Sequence, residues 1–286
     1  MDTPTVDNVV HNDLLAKLVA KLRDNIIPWR KVWTTGDPTR LPTNFLTRKQ
    51  YHVPLNKMTL WVAQQERQYP TGLWATATQF ARAGGVIRPG EQPERIVRPI
   101  WSKGRQVATR FLPVDLYNLG QVEGVEVPLP IIPPTYTPGI RSEFDELVDL
   151  TLAWVVHGGD EAMYSYDLDV IFIPHRFRFP DYESYAQTLA HELMHWTETR
   201  LKVYDGMPFL ELRAEIGACF LLSELGVPAS DDLANHTSYI AHWLDELADD
   251  PFYLQKAAEE ASKGVEFLLS FVRPGTCQKG SGENCK

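Results

Sequence analysis

Apolar positions recur at helical spacing near the start of the chain. Val10, Leu14, Leu15, Leu18, Val19 and Leu22 fall on one stripe, and Pro28 closes the segment. A second helix is predicted over Asn56–Arg67 and a short third over Thr76–Ala83, stopped by Gly84-Gly85. Arg95–Trp101 and Gln106–Val114 read as strands around a Ser102-Lys103-Gly104 turn. Further on, Ser142–His157 carries Phe144, Leu147, Val148, Thr151, Leu152 and Val155 and is predicted to be a helix ending at Gly158-Gly159. Val170–Pro174 reads as a short strand, and Tyr185–Arg200, Pro208–Leu225, Thr237–Ala248 and Pro251–Phe271 as helices. The pattern is α+β in two parts: a small α+β part, then a mostly helical one.

Between them, residues 126–139 hold five prolines in fourteen positions, which forbids helix. The division read from this is a domain over 1–125, a Pro-rich linker over 126–139, a second domain over 140–273 and a small, polar, flexible tail over 274–286. Charge changes sign at the same place. The chain is −9 overall, but residues 1–125 carry +7 and residues 126–286 carry −16. A polyanion responds to the local field, so the first part can attract nucleic acid while the second repels it. No stretch is apolar enough to cross a bilayer, and no membrane partner is expected. The opening residues lack the basic and apolar pattern of a secretory leader, and the three cysteines make an odd, low count. A reducing, cytoplasmic setting is expected.

Residues 191–195 read His-Glu-Leu-Met-His. On a helix, positions i and i+4 share a face, so the imidazoles of His191 and His195 can meet one metal ion. Glu192 beside them is the proposed general base: it can take the proton of an activated water as the oxygen attacks a carbonyl. Glu211 and Glu215 share a face of the next predicted helix. Glu211 is read as the third ligand and Glu215 as the acid behind an imidazole N–H, with the reverse assignment left open. His236 and His242 are rival ligands. Zinc is the expected metal, with manganese or another divalent ion as alternatives. Tyr164, Tyr166, Tyr185 and Tyr204 suit an oxyanion stabiliser by residue type, and the sequence does not choose among them.

In the basic part, Pro28-Trp29-Arg30-Lys31 runs on to Trp33. Cations can follow phosphates while aromatic faces stack unpaired bases, a combination suited to single strands. Trp29, Arg30, Lys31, Trp33, Arg48, Lys49 and Tyr51 are the candidate contacts with single-stranded DNA, whereas Trp61 and Trp74 read as core.

Taken together, these motifs resemble the ArdC-type antirestriction proteins of conjugative plasmids and related phage proteins. The residues that carry the resemblance are Pro28-Trp29-Arg30-Lys31, Trp33, Asn44, Thr47, Tyr51, Asn56, Trp74, Thr76 and Gln79 in the first part. In the second they are Tyr164, Asp169, Ile171, Pro174, Tyr185, Thr188, the run from His191 to Thr197, Arg200, Glu211 and Glu215. The resemblance implies an N-terminal single-stranded-DNA-binding domain and a C-terminal zincin-like metallopeptidase domain. It also implies protection of incoming DNA from host restriction during conjugation, with a protein substrate, such as host restriction machinery or DNA-bound proteins, left unidentified. After Thr197 the family often has glycine, where Glu198 stands here. The alternative is a non-catalytic DNA-binding protein with a structural or relict metal site.

Overall fold

The computed structural model describes residues 6–24, 27–29, 41–101, 108–125, 142–228, 243–246, 250 and 252–273. The first helix, α1 (Val6–Arg23), buries Leu14, Leu15, Leu18, Val19 and Leu22, the stripe its periodicity predicts. Helix α2 (Pro54–Glu66) opens on a proline, whose fixed φ suits the first turn, and buries ten consecutive residues from Leu55 to Gln64. Helix α3 (Ala77–Arg82) is started by a reciprocal cap in which Thr76 accepts from the Gln79 N–H and the Gln79 side chain accepts from the Thr76 N–H.

These helices accompany a four-stranded sheet in the order β1-β2-β5-β4, formed by β1 (Thr43–Asn44), β2 (Leu73–Ala75), β4 (Glu94–Trp101) and β5 (Ala108–Asn118). Strand β5 runs further than the sequence predicts, because Leu116 to Asn118 continue the pairing onto β4 and β2. Strands β3 (Val86–Ile87) and β6 (Val122–Glu123) form a separate pair. The predicted turn at 102–104, the linker at 126–139 and the tail at 274–286 lie outside the described residues.

In the second part, α4 (Glu143–Thr151) starts on a Ser142–Asp145 capping box. It corrects the predicted helix over 142–157. The chain leaves the helix at Leu152, which takes a left-handed conformation (φ 55°). Trp154–His157 then forms β7, parallel to β9 (Val170–Ile173). An aromatic followed by two β-branched valines favours a pleated surface over a helix, and the parallel neighbour supplies the hydrogen bonds. Strand β8 (Met163–Ser165) completes a three-stranded sheet in the order β7-β9-β8. Three long helices follow it in the chain: α5 (Tyr182–Leu201), α6 (Met207–Leu225) and α7 (Tyr253–Val272).

One apolar cluster runs through both parts, from Leu14 and Trp61 to Phe220, Trp243 and Leu268. Among the described residues no helix is long and apolar enough to cross a membrane.

Candidate metal centre

Helix α5 carries the His-Glu-Leu-Met-His run in its third and fourth turns. Asp181 caps its start by accepting from the Ser184 N–H at 2.7 Å, and Leu189, Ala190, Leu193 and Met194 root it in the core. The one-turn spacing brings the two imidazoles face to edge, and their Nε2 atoms lie 3.1 Å apart. Helix α6 is apolar nearly all round, and it presents Glu211 to the same point. The Glu211 oxygens lie 3.4 Å from His191 Nε2 and 3.5 Å from His195 Nε2. One ligand atom from each of His191, His195 and Glu211 falls within a 4.8 Å span. Donors about 2.0–2.1 Å from a tetrahedral ion stand about 3.3 Å apart, so the donor set fits one ion.

The electrostatics fit a cation as well. Burial opposes charge on His191, but the Glu211 and Glu215 carboxylates outweigh it and raise its pKa to about 10. Burial also works against ionisation of Glu211, yet His191 and His195 hold its carboxyl below the usual range. Glu192 is buried, and that burial raises its pKa against the pull of the two histidines and a backbone hydrogen bond from Tyr164.

Behind each imidazole stands a carboxylate. Glu215 Oε2 is 3.6 Å from His191 Nδ1, beyond a direct hydrogen bond but close enough for strong attraction. Glu198 Oε1 is 3.0 Å from His195 Nδ1. The sequence reading took Glu198 only as a departure from a family pattern, although its place one turn after His195 is a usable signal. Tyr166 and Arg213 were also missed in this role: Tyr166 donates to Glu198 at 2.5 Å, and the fully buried Arg213 lies 3.6 Å from it.

Of the other tyrosines, Tyr164 donates to Asp169 at 2.7 Å, and Arg200 grips Asp169 with two bonds of 3.0 and 2.8 Å. This clamp ties the β8–β9 turn to the end of α5. Tyr185 bonds His157 at 2.9 Å, and Tyr204 is exposed. His236 and His242 lie outside the described residues.

The candidate DNA contacts divide. Trp29 is 0% exposed and meets Trp243 edge-on at 5.8 Å, so it has no face to offer a base. That corrects its reading as a stacking platform: with the proline beside it also buried, the segment turns inward and fills the core. Arg30, Lys31 and Trp33 lie outside the described residues. Tyr51 is half-buried, and burial raises its pKa to about 12 while its hydroxyl accepts from Asn44 and donates to the Trp74 carbonyl. Arg48 and Lys49 are exposed. They follow a turn tied by Asn44, whose Oδ1 accepts from the Leu46 and Thr47 N–H groups at 3.1 and 2.9 Å and whose Nδ2 donates to Tyr51 and Gln79. Asn44, Thr47, Tyr51 and Gln79, spread along the sequence, thus build one rigid turn.

The fold and the histidine pair define a zincin-like metallopeptidase domain, and residues 142–260 match the family model of that description. Residues 8–117 match the N-terminal domain of the anti-restriction factor ArdC. The chain therefore carries an ArdC-type N-terminal domain followed by a zincin-like metallopeptidase domain. The crystal structure of the antirestriction ArdC protein from the R388 plasmid in its Mn(II)-bound form is similar at a TM-score of 0.75 and 26% identity, over 92% of this chain and 98% of that one. Its metal-free form is similar at 0.72 and 27%, over 91% and 96%. Two Escherichia coli proteins called DNA primase TraC are 30% and 29% identical over 91% of this chain, which spans only 20% and 27% of their lengths. The uncharacterized protein y4eC of Sinorhizobium fredii (strain NBRC 101917 / NGR234) is 23% identical, over 93% of this chain and 92% of its own length. The zincin-like domain and the Mn(II)-bound relative together support a divalent metal in this chain.

Proposed function

We propose that this protein is an antirestriction factor that holds single-stranded DNA with its first domain and cleaves protein with a metallopeptidase site in its second, protecting incoming DNA during conjugation. The observation that carries the reading is the convergence of His191, His195 and Glu211 on one point with the buried Glu192 in the same helix turn. In this reading the division between the domains falls in the Pro-rich stretch at 126–139.

A divalent ion held by His191, His195 and Glu211, zinc by preference, supplies electrophilic activation of a peptide carbonyl and of water. Glu192 does the proton work. A carboxylate made more basic by burial accepts the proton of the attacking water as its oxygen bonds to the carbonyl carbon. The same carboxyl then gives that proton to the amine nitrogen as the C–N bond breaks. Glu215 steadies His191 from behind.

On the first domain, Arg48 and Lys49 are the candidate phosphate contacts among the described residues, because they follow a turn whose backbone is already ordered, which lowers the ordering cost of binding. Arg30, Lys31 and Trp33 complete the candidate set.

The test compares wild type with Glu192→Gln in the metal-loaded full chain, on protein substrates with and without single-stranded DNA. Cleavage is expected to fall at least about 100-fold in the variant, with metal content unchanged. Identical behaviour of the two on every substrate, with DNA binding intact, would instead establish the alternative, a binding protein with a relict site.

A further inference from the structure

We propose that Glu198 is a positioning residue for the metal centre: its carboxylate sets the ring of His195, and Tyr166 and Arg213 set the carboxylate. The inference rests on the metal-site reading above and adds residues to it.

Glu198 is 1% exposed. A carboxylate removed from water must be satisfied by donors. One oxygen lies 3.0 Å from His195 Nδ1 and the other accepts from the Tyr166 hydroxyl at 2.5 Å. Arg213, itself without exposed surface, stands 3.6 Å from the first oxygen. The guanidinium is in turn fixed by donating to the Met194 carbonyl at 2.9 Å and to Thr197 Oγ1 at 2.8 Å. Every one of these partners belongs to α5, α6 or the β8–β9 turn, so three elements lock one side chain.

The consequence for His195 is specific. An ionised carboxylate only accepts, so the nitrogen facing it carries the hydrogen. That leaves the lone pair on Nε2, the atom directed at His191 Nε2 and Glu211. Glu198 therefore selects both the tautomer and the ring angle that a metal ligand needs. Tyr166 makes the arrangement sensitive to the β8–β9 turn, since its hydroxyl also lies 3.5 Å from His195 Nδ1.

The experiment measures metal binding by the full chain, using Mn(II) and Co(II) alone, with Co(II) absorption reporting the geometry. Glu198→Ala is expected to weaken binding about 10–100-fold and to change the Co(II) spectrum. Glu198→Gln, which keeps an acceptor for Nδ1–H, is expected to recover much of the affinity. Tyr166→Phe, at a partly exposed position, is expected to lose about threefold or more and to shift the spectrum in the same direction. Melting temperatures in chelator verify that the variants fold. Should Glu198→Ala not fold, Tyr166→Phe decides the matter. Wild-type affinity and spectrum in a folded Glu198→Ala, or in Tyr166→Phe when only that variant folds, would overturn the proposal. In that case His191→Ala still abolishes binding if the metal site is real. If wild type and His191→Ala bind metal equally weakly, the metal-site reading itself fails.

Discussion

The indole of Trp61 in α2 meets the ring of Phe220 in α6 edge-on, with centroids 5.4 Å apart. Lys57, one turn earlier on α2, lies over the same ring at 4.9 Å. Phe220 sits on the helix that carries Glu211 and Glu215, so the first domain packs directly against the scaffold of the metal centre. Gln50 and Arg273 converge on Glu224 at the far end of that helix, at 3.4 and 3.3 Å.

A shared core should unfold as one. Phe220→Ala removes a buried aromatic and is expected to cost about 3–5 kcal/mol. Calorimetry and far-ultraviolet dichroism should report a single transition, moved down together for both domains. Two separate transitions in the wild type would show that the contact does not couple them.

Lys57 gives a pH signature. Burial lowers its pKa below 10.5, against the raising effect of Glu224 and Glu266. Between the lowered folded value and 10.5 the unfolded chain holds the proton more firmly, so Lys57 makes stability rise with pH across that window. Below the folded value the charged form is a net burden. Lys57→Met should therefore be neutral or stabilising by up to about 2 kcal/mol at pH 7, an advantage that shrinks as pH climbs toward 10.5. Denaturant melts of both proteins at pH 7 and pH 9.5 measure it.

Met194, inside the metal-binding run, packs where two other helices lack side chains. A Cβ on Gly217 would come within 2.3 Å of its Cε, and one on Gly264 within 2.5 Å. Gly217→Ala should cost about 1–3 kcal/mol by overpacking. It should also weaken Mn(II) binding, since Met194 lies between the two histidines. Thermal melts and metal titration of the one variant check both effects.

Metal binding should stabilise the fold by mass action. At a hundredfold excess over the dissociation constant the gain is about 2.7 kcal/mol. A divalent ion should raise the melting temperature of the wild type, chelator should reverse the rise, and Glu211→Ala should abolish it.

The sequence by itself determined the helices whose apolar stripes are regular, the α+β class and the pairing of His191 with His195, because a helical repeat of 3.6 residues fixes which side chains share a face. The approach of Glu211 to that pair was legible for a different reason: on an apolar helix a carboxylate needs a partner. Only the tertiary structure decided the rest. Trp154–His157 became strand because β9 lay alongside to take its hydrogen bonds, which no local window contains. Trp29 went into the core because Trp243, more than two hundred residues on, was there to meet it. Glu198 acquired a role because Tyr166 and Arg213 arrive from other elements, and hydrogen bonds between distant segments leave no periodic trace along a chain.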